Sequence, residues 1–501
     1  MTMHDLYLLS PELSLAGLAT LVLLVDLIVK RKSYLFVLTT VGLVVPLGFT
    51  LALLGSLDGA GVVENQGVLR DTLVVDKFAL FFKLLLISII AIVSLLSIDY
   101  VRRFEQFQTE FVVLLLYSAT GMMLMASTKE LITIYIALEL SALPVAALAA
   151  FMRDGRSAES GMKFLILSGI SSALLLYGMV LVFGLTGATQ LDDIAERIAT
   201  LAINTDEPFG SYALLMGVVL MVAGFGFKIT AFPFQMWAPD VYEGAPTPVT
   251  AFLSVASKAA GFAVILRVFY SAFGIEELSI EWSAIFAVLA ALSMTIGNLV
   301  AIAQRSFKRL LAYSTIAHAG YIMVGLAAVS TRAGSGDSSL GISAVLFYLC
   351  GYAVMNLAVF SAVIAISNRI NSDAISDFAG MARRAPYLSA VLAFGLVSLT
   401  GIPPTVGFIA KVYVFGAAVD AGLEWLVIIG VLNSVIAAYY YLRIVKSMYL
   451  SEPLSTDPIE SGTPLRLAML VTSAGILLFG LYPTGLLNFV KSAAQALLST
   501  S

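Results

Sequence analysis

The chain has 501 residues, of which 60% are hydrophobic and 12% are charged, with a formal net charge of −4. Soluble domains average about 45–50% apolar and roughly 25% charged residues, so this composition is typical of a protein that lies in lipid. A single cysteine, Cys350, excludes a disulfide framework and a cysteine metal cluster. Two histidines, His4 and His318, are too few for a histidine-rich redox centre, and no basic stretch indicates nucleic acid.

Fourteen apolar runs long enough to span a bilayer predict an all-α polytopic membrane protein of about 14 transmembrane helices. In chain order the runs are 7–29, 34–55, 74–98, 110–126, 130–151, 161–185, 211–231, 249–273, 282–303, 310–330, 341–367, 388–418, 425–449 and 465–489. The first is followed, not preceded, by the basic cluster Lys30–Lys32, so we expect it to remain as a helix and not to be a cleaved signal peptide.

Two runs contain prolines, which remove a backbone donor and clash with the preceding helical turn. The seventh run ends just before Pro233, and the twelfth contains Gly401 followed by Pro403 and Pro404. Both are therefore predicted to be interrupted helices. Because the two breaks are of similar character in the two halves of the chain, they also suggest an internal repeat of about five helices, as in inverted-repeat transporters.

Orientation follows from the distribution of lysine and arginine over alternate loops. One set of loops holds sixteen basic residues: Lys30, Arg31, Lys32, Arg102, Arg103, Arg153, Arg156, Arg305, Lys308, Arg309, Arg369, Arg383, Arg384, Arg443, Lys446 and Arg466. The opposite set holds seven: Arg70, Lys77, Lys129, Arg197, Arg267, Arg332 and Lys491. The second set also carries acids, among them Asp192, Asp193, Glu196, Asp206, Glu207, Glu276 and Glu277. The basic side is predicted to be cytoplasmic, with both termini on the outer side.

Several ionisable residues fall inside the runs, where each costs at least about 2.5–3.5 kcal/mol on insertion scales and is usually functional. Glu139 lies within the fifth run, and Lys163 lies at a similar depth at the start of the sixth. An ion pair between these two would offset the cost of desolvating each charge. The alternatives are a neutral, hydrogen-bonded carboxylic acid at Glu139 and a snorkelling lysine at Lys163.

Three further lysines are candidates for proton exchange, because burial brings a lysine into the range where it can exchange a proton near neutral pH. Lys228 directly precedes the first break, Lys258 lies in mid-membrane among small residues, and Lys411 follows the second break. His318 titrates in a useful range, although a neutral packed imidazole is an alternative there.

The remaining charged or reactive residues are given bland interpretations. Lys83 and Arg267 lie near outer helix ends and are expected to snorkel. Asp26 is expected to be interfacial beside the Lys30 cluster. Cys350 is expected to be a small packed hydrophobe.

Three segments together carry a resemblance to a known family. Residues 226–249 read GFKITAFPFQMWAPDVYEGAPTPV, residues 309–321 read RLLAYSTIAHAGY, and residues 401–411 read GIPPTVGFIAK. With the stretch 254–261, SVASKAAG, they resemble the N-type antiporter-like subunit of proton-pumping NADH:quinone oxidoreductase, respiratory complex I. The resemblance covers essentially the whole chain. The segment from Trp237 lacks the histidine usual in L-type, M-type and cation/proton antiporter relatives, and no long lateral helix follows residue 489, which disfavours the L type.

The resemblance implies an architecture and site residues. It implies N-terminal helices 1–3 (1–109), two inverted five-helix repeats, helices 4–8 (110–273) and 9–13 (282–449), and helix 14 (465–489), with helices 7 and 12 broken. It also implies a polar axis in which Glu139 pairs with Lys163 or Lys228. Lys258 would be the central relay of that axis, Lys411 would serve the second half-channel, and His318 would lie between them.

The resemblance also implies partners and a location. No G-x-G-x-x-G motif after a strand and no cysteine set is present, so NADH, FMN, iron–sulfur clusters and quinone are expected in partner subunits of the complex and not in this chain. The expected setting is the bacterial cytoplasmic (inner) membrane, beside neighbouring antiporter-like subunits. A subunit of a cation/proton antiporter, or of a related membrane-bound hydrogenase or dehydrogenase, uses the same chemistry and stays open. A purely structural subunit is disfavoured because a scaffold gains nothing from Lys258, Glu139 and Lys411 in the bilayer.

Overall fold

The structure of the chain is a computed structural model that describes residues 2–29, 33–58, 66–69, 71–101, 104, 107–204, 208–328, 339–455 and 457–499. Some residues used in the orientation argument lie outside the described residues: Lys30, Arg31, Lys32, Arg70, Arg102, Arg103, Arg332, Asp206 and Glu207.

The architecture is almost entirely α-helical. The helices are α1 (Met3–Leu8), α2 (Ser10–Asp26), α3 (Ser33–Gly42), α4 (Val44–Asp58), α5 (Lys77–Val101), α6 (Gln108–Ser127), α7 (Leu131–Ala149), α8 (Gly155–Thr186), α9 (Leu191–Asn204), α10 (Pro208–Ile229), α11 (Trp237–Gly244), α12 (Thr247–Phe252), α13 (Lys258–Ser271), α14 (Glu276–Ile302), α15 (Phe307–Ala327), α16 (Ser339–Ile370), α17 (Met381–Arg384), α18 (Pro386–Thr400), α19 (Val406–Asp420), α20 (Glu424–Leu450), α21 (Thr463–Leu481) and α22 (Thr484–Ser499). A π-helical turn, Leu253–Ser257, joins α12 to α13, and a 3₁₀ turn spans Ile375–Phe378. One antiparallel hairpin pairs β1 (Gln66–Val68) with β2 (Leu73–Val75).

Twelve helices in the described ranges are long and apolar enough to cross a membrane, so the chain is a multi-pass integral membrane protein. Two further segments have the right character but are shorter: α2, with 17 residues, and the interrupted pair α18 and α19. Adding these would give the expected fourteen spans, and that count remains a prediction.

The polypeptide is interrupted at both predicted breaks. Helix α10 ends at Ile229, and the chain becomes helical again only at Trp237. Helix α18 ends at Thr400, where Gly401 adopts φ +90°, and α19 begins at Val406. The peptide bonds Phe232-Pro233 and Pro403-Pro404 are cis.

The last predicted run is divided in two. Helix α21 ends at Leu481, and α22 starts at Thr484. Pro483 explains the division, because the residue before a proline avoids the helical conformation and proline has no amide hydrogen to donate.

The burial of the helices separates a core from a lipid-facing shell. The span from Thr247 to Ser271 is 100% buried inside the protein, and the spans of α15 and α16 are each 94% buried. The spans of α20 and α21 are only 33% buried, and large apolar side chains such as Val435 and Leu470 are exposed there. Hydrocarbon lipid is the natural solvent of such surfaces. The ionisable residues singled out by the sequence can therefore be judged by whether they lie in this core.

Candidate functional site

Lys228 lies at the end of α10, one residue before the first break. Its side chain is 5% exposed, and its Nζ donates a hydrogen bond of 2.7 Å to Ser141 Oγ on α7. Gly261 makes room for the lysine stem, since a Cβ at that position would lie 3.2 Å from Lys228 Cγ. The ammonium group just before the first break is therefore buried against the neighbouring helix.

Glu139 lies on the same helix as Ser141 but is half-buried. Its Oε1 accepts a short hydrogen bond from Ser172 Oγ on α8. Its expected pairing with Lys228 stays a prediction. Ser172 and Lys228 both line one small, mostly apolar cavity.

The expected pairing of Glu139 with Lys163 is wrong. Lys163 Nζ lies 2.6 Å from Asp240 Oδ2 and 2.7 Å from Glu159 Oε1, and its side chain is 40% exposed. Asp240 and Glu159, the two partners of Lys163, lie on the basic side of the molecule. At this place α8 begins and α11 crosses it. The partner Asp240 could not be predicted from the apolar runs, because Asp240 lies on a short helix after the break.

Lys258 lies in the interior, 1% exposed, directly after the π-helical turn. Its Nζ donates to the Thr315 backbone carbonyl at 2.5 Å and to Thr230 Oγ1 at 3.2 Å. Thr230 is the first residue of the first break, with φ +63°. Among the described residues, the hydrogen-bond acceptors of Lys258 are therefore all neutral, and they connect the broken segment to α15.

His318 lies on α15 inside a cluster of tyrosines. Its Nδ1 is 2.9 Å from the Tyr348 hydroxyl, and its ring contacts those of Tyr321 and Tyr352 at centroid distances of 5.6 and 5.1 Å. Tyr352 hydrogen-bonds through its hydroxyl to Thr315 Oγ1 at 2.9 Å, next to Lys258. Sequence reasoning missed these tyrosines, although Tyr321 lies three residues after His318 and hence on the same helix face.

Lys411 lies on α19, 6% exposed, and points back at the second break. Its Nζ donates to the Thr400 carbonyl at 2.8 Å and to Ser434 Oγ at 3.2 Å. The Thr400 carbonyl is one of those left unpaired where α18 ends. Tyr321 presents its ring 4.5 Å from the same ammonium. The side chain expected to face the protein interior does so.

The tyrosine cluster places His318 between the two lysines. Tyr352 lies beneath Lys258, with the ammonium 5.7 Å from the ring centroid, and Tyr321 lies beneath Lys411. His318 contacts both rings. Hydroxyl, imidazole and amine groups therefore follow one another through the core.

Two buried cations that were expected to snorkel do not. Lys83 is fully buried, and its Nζ lies 2.7 Å from Glu12 Oε1, itself 3% exposed. Arg267 is fully buried and forms a bidentate pair with Asp76 at 2.9 and 3.0 Å. Arg267 also donates to the Ala126 carbonyl. Each carboxylate comes from a distant part of the sequence. The position of Lys83 and Arg267 near helix ends therefore led to the wrong prediction of their surroundings.

The other two bland interpretations agree with the structure or are refined by it. Cys350 is buried among apolar neighbours, as expected. Asp26 ends α2, where its Oδ1 accepts a hydrogen bond of 2.5 Å from Thr109 Oγ1 on α6.

A charged network lies on the basic side of the molecule, where α8, α11 and α15 meet. Arg309 Nη1 is 2.9 Å from both Asp240 Oδ1 and Glu243 Oε2, and Asp240 also binds Lys163. Burial acts to raise the pKa of Asp240, but the hydrogen bonds from Lys163 and Arg309 outweigh it, and the pKa is lowered. Across the described residues, no group of three or more histidine, cysteine or acidic side chains is arranged to hold a metal ion.

Comparison with known proteins places this arrangement in a family. A family model described as NADH:quinone oxidoreductase/Mrp antiporter, transmembrane, matches residues 128–437. NADH-quinone oxidoreductase subunit N of Dehalococcoides mccartyi is 41% identical over 99% of this chain and 100% of its own length. The subunit N of Moorella thermoacetica is 41% identical over 98% of this chain and 99% of its own.

Solved structures agree. A chain of respiratory complex I from Thermus thermophilus is 30% identical, with a TM-score of 0.76, over 95% of this chain and 98% of that one. A chain of an archaeal membrane-bound sulfane sulfur reductase is 25% identical, with a TM-score of 0.81, over 98% and 97%. A chain of the Mrp complex from Dietzia shares the fold at 21% identity, with a TM-score of 0.84, over 100% and 98%. The chain therefore belongs to the NADH:quinone oxidoreductase/Mrp antiporter transmembrane family, and the two curated relatives that match it over nearly their full length are subunit N proteins.

Proposed function

We propose that this chain is the proton-translocating subunit N of an NADH:quinone oxidoreductase, and that Glu139, Lys228, Lys258, His318 and Lys411 form its proton relay. The observation that carries the relay is the set of buried axial lysines held by neutral acceptors. Lys228 donates to Ser141. Lys258 donates to Thr230 and Thr315. Lys411 donates to Thr400 and Ser434. Such a lysine can release its proton without leaving an unpaired carboxylate buried beside it.

The relay has a physical order along the core. Glu139 acts on Lys228, so protonation of one changes the cost of protonating the other. Lys258 reaches the first break, and Lys411 reaches the second, through Thr230 and Thr400. His318 and the tyrosine rings lie between the two. Lys163, held by Asp240 and Glu159 at the basic side, would lie at the entrance of the relay and not at its centre.

The two breaks support the repeat organisation of the chain. In each half a helix stops, a lysine lies beside the stop, and a threonine at the stop binds a lysine: Thr230 binds Lys258, and Thr400 binds Lys411. We assign residues 110–273 and 282–449 to inverted repeats of five helices each, within a chain of fourteen spans that places helices 1–3 in 1–109 and helix 14 near 465–489.

The complex would supply what this chain lacks. Hydrophilic partner subunits would hold NADH, FMN, the iron–sulfur clusters and the quinone site, and this chain would be a non-redox subunit of the translocase. Neighbouring antiporter-like subunits would continue the polar axis on either side in the bilayer. The excess of lysine and arginine on one side favours the bacterial cytoplasmic membrane, with that side inward and both termini outward.

A subunit of a cation/proton antiporter is the second candidate, because the family model covers Mrp antiporters and the fold is shared with an Mrp complex. Copurification separates the two. Hydrophilic redox subunits are expected to purify with this chain from its native membrane. A cation/proton antiporter would purify without redox subunits. A related membrane-bound hydrogenase or dehydrogenase would purify with them.

Lys258 provides the direct test of the relay. Both Lys258→Ala and Lys258→Arg are expected to abolish proton pumping by the assembled complex in membrane vesicles, because arginine keeps its charge but does not release its proton at accessible pH. Lys446→Ala, an exposed lysine on α20, is the matched control and should pump normally. Normal pumping by Lys258→Arg would refute proton exchange at this position.

A further inference from the structure

A groove on the lipid-facing surface, on the basic side of the molecule, lies outside the polar axis. It runs between the start of α18 and the start of α21 and encloses about 560 Å³. Tyr387 and Leu388 line one wall, and Thr463, Arg466, Leu467 and Leu470 line the other. The four residues from α21 are spaced i, i+3, i+4 and i+7, so they share one helix face.

The polarity of the groove changes with depth. Thr463 and Arg466 occupy the first turn of α21, at the mouth, together with the exposed ring of Tyr387. Tyrosine is typical of the level at which lipid headgroups meet hydrocarbon. Leu467 and Leu470 follow, 49% and 61% exposed, while Leu388 forms the buried floor. The groove is therefore polar at the membrane surface and apolar below it.

Arg466 is the charged side chain of the groove. Its Nε donates to Ser461 Oγ at 3.2 Å, and within the described part of the chain its guanidinium forms no ion pair. Two neighbouring arginines donate to backbone carbonyls of the adjacent loop: Arg384 to Asp457, and Arg369 to Glu460. Arg466 thus offers guanidinium donors to an anion at the mouth, and a guanidinium group matches the oxygens of a phosphate well.

The apolar face below the mouth continues far enough for an acyl chain. Leu467, Leu470, Val471 and Leu478 are all exposed on α21. The eleven residue steps from Leu467 to Leu478 rise by about 16 Å, close to the ~15 Å depth of one hydrocarbon leaflet. A ligand that fits both parts has an anionic group at one end and an apolar chain as long as one leaflet at the other. A phospholipid has both, and a soluble anion does not.

We infer that this groove binds one anionic phospholipid of the leaflet on the basic side, with its phosphate on Arg466 and an acyl chain along Leu467 and Leu470. The anionic headgroup is favoured because Arg466, which forms no ion pair with the described residues, lies at the mouth, and each arginine near a membrane surface favours anionic lipid. The binding does not depend on the proton relay. A neighbouring subunit that buries the same face is the competing occupant.

Native mass spectrometry of the complete chain in detergent tests the inference, with phosphatidylglycerol, phosphatidylcholine and inorganic phosphate as probes. The wild type should retain phosphatidylglycerol in preference to phosphatidylcholine. Arg466→Gln should reduce that preference about fivefold, the loss expected for one arginine. Leu470→Trp, which fills the apolar part and leaves the charge, should weaken retention of both lipids. Lys446→Gln removes an equal charge on the same side and should change nothing.

Three outcomes would overturn the inference. One is unchanged phosphatidylglycerol retention in both groove variants. Another is full displacement of the lipid by inorganic phosphate, which would make the site a headgroup pocket only. The last concerns the assembled complex: if Leu470→Trp releases a neighbouring subunit while lipid content stays constant, the groove is a protein interface.

Discussion

Lys83 and Arg267 are buried as deeply as the axial lysines Lys228, Lys258 and Lys411, but their partners are of a different kind. Lys83 and Arg267 each contact a buried carboxylate. The axial lysines donate hydrogen bonds to hydroxyl and carbonyl oxygens of the broken helices and their neighbours.

The difference separates charges that stabilise from charges that can move. A lysine or arginine paired with a buried carboxylate must stay protonated, because its deprotonation would leave the carboxylate unpaired at a cost of several kcal/mol. A lysine among neutral acceptors carries no such penalty. The outer pairs therefore act as fixed links, Glu12–Lys83 between α2 and α5 and Asp76–Arg267 between the start of α5 and α13, whereas the axial lysines are suited to proton exchange.

Breaking an outer pair should have the largest effect on the folded protein. Arg267→Ala leaves Asp76 buried and unpaired, and we expect a loss of about 3–5 kcal/mol in the free energy of unfolding. Thermal unfolding and yield in detergent measure it. Arg197→Ala, an exposed arginine on α9, is the control.

The double variant Arg267→Leu with Asp76→Leu sharpens this result. Removing both charges at once should restore much of the lost stability, because no uncompensated charge remains. If Arg267→Ala unfolds at the wild-type temperature, the pair is not a structural link.

Removal of an axial lysine should spare stability and abolish transport. Lys411→Ala is expected to lower proton pumping by about a hundredfold, the lower range for a positioned acid–base group, while assembly and thermal stability stay near wild type. Pumping and assembly are measured in the same vesicles. Wild-type pumping in this variant would remove Lys411 from the relay, and loss of assembly would place it with the outer pairs.

Glu139 is intermediate between the two classes, because it is a carboxylate near the axis but only half-buried and bound to Ser172. Glu139→Gln keeps the hydrogen-bonding shape and removes the charge that acts on Lys228. We expect pumping to fall about fivefold, corresponding to about 1 kcal/mol of lost charge interaction. Glu424→Gln, an exposed carboxylate at the start of α20, serves as the control. Equal pumping by the two variants would contradict the coupling.

The smallest expected effect concerns the network at the basic side. The pKa of Asp240 is lowered in the folded protein, so its contribution to stability is present above the ordinary value of 3.8 and is lost as the pH falls through the folded pKa. Because Asp240 and its partners are partly exposed, the contribution should be about 1 kcal/mol or less. Unfolding temperatures of wild type and Asp240→Asn should therefore differ at pH 6 and converge as the pH falls below about 4. A constant difference would assign the effect to shape and not to charge.

Local features of the sequence are enough to predict the membrane class, most of the spans and both helix breaks. Hydrophobicity and proline act locally: an apolar run must enter lipid, and a proline interrupts the helix in which it lies. The same local logic identified Lys228, Lys258 and Lys411, because a lysine deep in an apolar run is costly wherever the run packs.

The tertiary structure alone decided the partner of each charge. Asp76 and Arg267 are 191 residues apart, and no periodicity in the sequence links them. Lys163 lies at the same predicted depth as Glu139 yet binds Asp240, because α11 turns back under α8 after the first break. A charge in the membrane is expensive for a local reason, but whether a carboxylate or a hydroxyl satisfies it depends on which distant helix packs beside it, and that decides whether it holds the fold or exchanges a proton.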